Sequence, residues 1–169
     1  MNRALVSVAL LLSLGLVAGC GQKAEQEAAQ APVVLTAPTN GDDAAWKAYL
    51  AQVIGQNQAG VTDRIFSYYL PKDSRVVTEA DEDGRSQYDR QLDNVNAAVQ
   101  RTVLPGNMLA FGSPDSAAMA DLIVKAFEGA APDALQGSQV LFIGKAEDAE
   151  RVRVAVEAAG ARYIFVEAK

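Results

Sequence analysis

The chain has 169 residues, with 21 acidic side chains against 15 basic ones for a formal net charge of −6; it contains no histidine and one cysteine. That balance argues against binding nucleic acid or anionic lipid headgroups by bulk electrostatics. A chain without histidine has no Ser-His triad and lacks the commonest general base and zinc ligand, and a lone cysteine allows no intramolecular disulfide.

Met1-Asn2-Arg3 makes a short positive start, and Ala4 to Val17 is apolar, relieved only by Ser7, Ser13 and Gly15. Such a run is short for a bilayer span, which takes about 20 apolar residues, and fits the apolar region of a removed secretory signal. It ends in Val17-Ala18-Gly19-Cys20. An apolar residue, two small ones and a cysteine resembles the lipobox of bacterial lipoproteins. The resemblance implies cleavage before Cys20, a thioether-linked diacylglycerol on that cysteine, and three acyl chains, palmitate among them, on the new N-terminus. More than one chain gives stable anchoring, at about 0.8 kcal/mol per buried CH₂. Gly21 stands where an aspartate commonly marks retention at the inner membrane, which in a Gram-negative envelope implies the outer membrane, with the domain in the periplasm or at the surface.

Residues 1–19 are therefore expected as a signal peptide, 20–40 as a lipidated N-terminus and flexible linker, and 41–169 as a single α/β domain. In the linker, Gln22 to Ala31 is polar and alanine-rich, and Pro32 and Pro38 flank Val33-Val34-Leu35. A flexible coil of this length reaches about 25 Å. Val33–Leu35 docked as an edge strand is the alternative.

The first helix of the domain is capped by Asp42 or Asp43 and places Trp46, Tyr49, Leu50, Val53 and Ile54 on one stripe. The run Ile65, Phe66, Tyr68, Tyr69, Leu70 before Pro71 reads as core, with a ligand-groove lining as the alternative, and Arg75–Thr78 reads as a short strand. Glu79, Asp81, Asp83 and Gly84 resemble positions 1, 3, 5 and 6 of an EF-hand calcium loop. The departures are Glu79 at position 1, Ser86 where an apolar residue belongs and Arg90 at position 12 in place of a bidentate glutamate. The expectation is a solvated acidic turn without calcium, favouring the N-terminus of the next helix. That helix, from about Ser86 to Val103, turns Tyr88, Leu92, Val95, Val99 and Val103 to one side.

From Asn107 the pattern becomes strand, helix, strand, helix, strand. The apolar runs are Met108–Phe111, Val140–Ile143 and Tyr163–Val166. Between them lie a helix opened by Ser113-Pro114-Asp115, read as N-cap, first residue and first-turn acid, and one opened by Glu147 and Asp148. In the second helix Val152 and Val156 point inward and Arg151 and Arg153 outward. Continuous apolar strands predict a parallel sheet covered on both faces, with Leu141, Phe142 and Ile143 at its heart. The predicted architecture is thus α/β, with N-terminal helices packed on a small parallel βαβαβ sheet.

In such sheets ligands bind beyond the carboxyl ends of the strands. The loops there are 112–116 and 144–147, and Ser113, Asp115 and Lys145 are the candidate ligand-binding residues, besides Cys20 as the lipid site. Neither loop carries a dinucleotide or Walker sequence, so no cofactor, metal site or catalytic residue is expected. Two functions follow. The first is a non-catalytic envelope module, held to the membrane by lipid, that binds a protein or cell-wall partner. The second is a small-ligand carrier or enzyme using the two loops. A deep pocket joining the loops favours the second, a broad exposed apolar patch the first.

Overall fold

The computed structural model describes residues 35–79, 83–101 and 103–169. Cys20, the signal, most of the linker, Val33, Val34 and the acidic residues Asp81 and Glu82 lie outside the described residues. In chain order the elements are α1 (Asp43–Asn57), β1 (Ile65–Tyr69), α2 (Gln87–Gln100), β2 (Met108–Gly112), α3 (Ser116–Phe127), β3 (Gln139–Gly144), α4 (Ala146–Ala158) and β4 (Arg162–Glu167). The four strands form one parallel sheet in the order β1-β2-β3-β4.

The sheet is the expected one with a fourth strand added. The aromatic run at Ile65–Tyr69 is β1, paired to β2, so α2 is a crossover helix between two strands and not part of an N-terminal helical layer. Because each strand is laid beside the one before it in the same direction, crossovers of one hand leave their helices on one face. Residues from α2, α3 and α4 share a core there with Tyr68, Leu109, Phe111, Val140 and Phe142. Among the described helices only α1 covers the other face, packing Trp46, Tyr49, Leu50 and Val53 against Met108, Ala110, Leu141 and Ile143, with Ala37 and Leu35 of the preceding segment beside them.

Register builds the first face into an aromatic row, since Tyr68, Phe111, Phe142 and Phe165 are mutual partners across all four strands. Tyr68 stacks on Phe111 at 4.9 Å between ring centroids, and Phe142 on Phe165 at 6.0 Å. On the second face, small residues let α1 approach. A Cβ on Gly112 would lie 3.3 Å from the Leu50 side chain, so a glycine here sets the distance between helix and sheet.

Burial divides the strands. Every residue of β2 and β3 is buried, which is why each reads as an unbroken apolar run. The run Tyr163–Val166 was expected to be equally enclosed, but β4 is an edge strand and only half-buried. Arg75–Thr78 is not a strand. Val76 N–H closes a turn onto the Asp73 carbonyl at 2.9 Å, and Val76 and Val77 are exposed.

Helix starts follow side-chain chemistry. The Asp42 carboxylate accepts from Ala45 N–H at 2.7 Å, and Ser86 and Asp89 form a reciprocal capping box on α2. At α3 the expected N-cap, Ser113, is displaced by Asp115, whose carboxylate accepts from Ala118 N–H at 3.0 Å. Ser113 instead accepts from the Asp115 N–H at 3.0 Å and stiffens the approach.

The outward reading of Arg151 is also corrected. Its guanidinium lies between α3 and α4, donating to Asp148 at 2.7 and 3.1 Å and to the Ala117 carbonyl at 3.1 Å, and pairing with Asp121. Arg153 does face solvent, bonded to Glu150 and Glu157 of its own helix.

Candidate functional site

Strand order bears directly on where a ligand can sit. An open α/β sheet makes its crevice where the order reverses and neighbouring loops diverge. An order of β1-β2-β3-β4 never reverses, so no such crevice is built in. A smaller cleft arises another way. The loops after β2 and β3 lie side by side, and residues 37–41 and the start of α1 border the same space. That segment is pinned by Ala37 N–H donating to the Lys169 carbonyl at 2.6 Å. The resulting cleft has a volume of about 320 Å³ and is lined by Pro38, Trp46, Lys72, Ser113, Ser116, Gly144, Lys145 and Lys169, among others.

The candidate residues divide here. Ser113 and Lys145 come together on the cleft, joining the two loops as the ligand-binding alternative requires. Asp115 does not line it; its carboxylate is spent on capping α3. Lys145 keeps an exposed ammonium group 3.7 Å from Glu147. It occupies the N-cap position of α4 but supplies no side-chain cap to it.

Two residues that sequence reasoning passed over hold the loops in place. The Ser116 hydroxyl accepts from Lys145 N–H at 2.8 Å and donates to the Asp148 carboxylate at 2.6 Å, so one buried side chain locks the β3–α4 loop onto α3. Gly144 makes room for this, because a Cβ there would lie 2.6 Å from the Ser116 oxygen and 2.4 Å from the Phe142 ring. Asp148, only 6% exposed, is neutralised by Arg151, which also meets Asp121, and Asp121 in turn meets Arg75 at 2.5 Å. Burial pushes the Asp121 carboxyl up, but hydrogen bonds from the two arginines outweigh it and hold the group below the usual carboxylate range. Arg75 completes the chain by lying over the Tyr88 ring, 4.6 Å from its centroid.

At the opposite end of the sheet a larger groove, about 470 Å³, opens between α2 and β1. Phe66, Tyr68 and Leu109 form its sheet side, Asn94 and Ala98 its helix side, and Val103, Leu104 and Asn107 complete it together with the charged Asp63 and Arg64. Phe66 is 41% exposed and Leu104 63%. The aromatic run thus supplies both core and groove: Tyr68 is buried, and Phe66 shows its face to solvent.

In the acidic turn, Asp83 accepts from Arg90 at 3.0 Å, so the residue at loop position 12 pairs with a would-be ligand. No group of three or more metal-ligating side chains converges among the described residues, and none of their helices is long and apolar enough to cross a membrane. No protein-family model, curated protein or solved structure matches the chain.

Proposed function

We propose that the protein is a lipid-anchored cell-envelope lipoprotein, held by Cys20, whose domain is a non-catalytic module for binding a protein partner. The observation that carries the binding half is the apolar groove beside β1. This strand is at the edge of the sheet, so its outer row of backbone groups has no strand partner among the described residues. Natural sheets usually blunt such an edge with charge or cover. The β4 edge follows that practice, with Arg162 and Glu167 at its ends; β1 has Asp63 and Arg64 at its start but then presents Ile65 and Phe66 half in solvent. An extended apolar segment of an envelope protein fits both features. Its backbone extends the sheet and its side chains enter the groove, as in strand-addition recognition.

A photo-activated crosslinker placed at Leu104 in the native envelope tests this. It is expected to give a discrete adduct, whereas one at Val154, equally apolar and 56% exposed on α4, gives none. The same pattern from both positions removes the support for a docking groove.

A second reading, a small-ligand site at the carboxyl ends of the strands, is favoured by one observation: the loops after β2 and β3 share a single cleft.

A further inference from the structure

We propose that this cleft binds a small oxyanion, a phosphate or carboxylate group, a proposal that rests on the second reading above and is independent of the groove at β1. The chain as a whole is acidic, with 21 acidic against 15 basic side chains. The cleft reverses that balance: Lys72, Lys145 and Lys169 line it and no aspartate or glutamate does. Lys145 and Lys169 have exposed carboxylate neighbours, Glu147 and Glu167, just outside. Lys72 has no ion pair among the described residues. Beside these charges α4 begins without a side-chain cap, with Glu147 and Asp148 in its first turn.

A separate observation points to an acceptor. Trp46 lines the cleft and is 4% exposed, yet its indole N–H is buried without a hydrogen-bond partner. Buried donors are nearly always satisfied, and an indole N–H can only donate. The N–H is closed off as the cleft stands, so a ligand oxygen drawn in by the lysines reaches it only with a small shift of the ring or its neighbours. The volume of about 320 Å³ is at the lower end for a ligand pocket and suits one small ligand. The Ser116 lock, which holds the Lys145 backbone onto α3, fixes where that ammonium group starts.

Trp46 is the only tryptophan of the chain, so its emission reports on the cleft directly. Full-length protein in detergent micelles is titrated at constant ionic strength with inorganic phosphate, with succinate and with glucose. A saturable change with phosphate, succinate or both is expected, and none with glucose; the two anion arms tell a phosphate site from a carboxylate site. In the Lys72→Gln/Lys145→Gln variant half-saturation moves up by about tenfold or more, while Lys125→Gln, on α3, leaves it in place. Trp46→Phe, followed by calorimetry with the better anion, also weakens binding by about tenfold. A response to glucose alone overturns the oxyanion class and leaves the ligand cleft standing. Silence from all three overturns both. Anion binding that persists in the double lysine variant, or is unchanged in Trp46→Phe, places the anion elsewhere and overturns the proposal.

Discussion

Replacing Arg151 with methionine removes a charge and five donors while keeping most of the stem that packs between α3 and α4. Three acceptors lose their partner together: the Asp148 carboxylate, one oxygen of Asp121 and the Ala117 carbonyl. Asp121 retains Arg75 and can turn to water, so it contributes little to the loss. Asp148 cannot, because it is nearly buried and its one remaining side-chain partner is the neutral Ser116 hydroxyl. Breaking a fully buried pair from one side costs about 3–5 kcal/mol. The Arg151 side chain is 38% exposed, so water already screens part of the interaction and the figure falls to roughly 1–3 kcal/mol. Arg153→Met, three solvent-facing hydrogen bonds notwithstanding, is expected to be nearly silent, since exposed pairs within one helix contribute little. Urea melts at pH 7 compare the two. Adding Asp148→Asn to the Arg151 variant recovers part of the loss by removing the stranded charge. If Arg151→Met unfolds at the wild-type midpoint, the bridge between α3 and α4 is not holding them, and the physical account of the loop lock fails with it.

The same network sets a pH dependence. The Asp121 carboxyl titrates below its ordinary value in the folded chain, so its stabilisation is present above the unfolded value and is lost as pH falls through the folded one. Wild-type melts from pH 6 down to pH 2 are expected to show this acid loss, and Arg151→Met a shallower one. Leu141→Ala and Ile143→Ala, both fully buried against α1, are expected to cost about 2–5 kcal/mol in denaturant melts. Gly144→Ala, which drives a methyl into the Phe142 ring and the Ser116 oxygen, should cost more than Gly112→Ala, which meets only a movable leucine side chain. About 1–3 kcal/mol is the scale for the first, read by thermal melts of the pair.

How much was legible from sequence depended on how far each residue answers to its neighbours in the chain. The β2 and β3 runs declare themselves because a strand buried on both faces leaves no polar position to interrupt it. The β1 strand is harder to read, since at an edge Phe66 and Ile65 face partly outward, Ser67 interrupts the run, and no length of apolar residues marks it off from a core segment of another kind. Arg75–Thr78 has the β-branched residues of a strand but no strand to pair with, and the Asp73 turn takes its backbone. Asp148 in the first turn of a helix looks the same whether it meets the dipole in water or is buried under Ser116, 32 residues away in the chain. That distance also explains Arg151: helical spacing places it off the Val152 and Val156 stripe, and only the packing of α4 on α3 reveals a carboxylate waiting there. Ser113 and Lys145 were accessible to sequence reasoning because strand-end loops are where ligands gather in such sheets. Trp46 and Lys72 were not, because α1 and the loop after β1 reach the cleft only through the tertiary fold.

Everything proposed about partners presumes that the domain works within reach of a membrane, and one measurement tests that most directly. Cells expressing the wild-type chain or Cys20→Ser are labelled with radioactive palmitate, and their membrane and soluble fractions are separated. The wild-type protein should carry label and sediment with the membranes, and Cys20→Ser should carry none and retain its uncut signal. Equal label in the variant, or an unlabelled wild-type protein in the soluble fraction, contradicts the lipid anchor and the envelope function built on it.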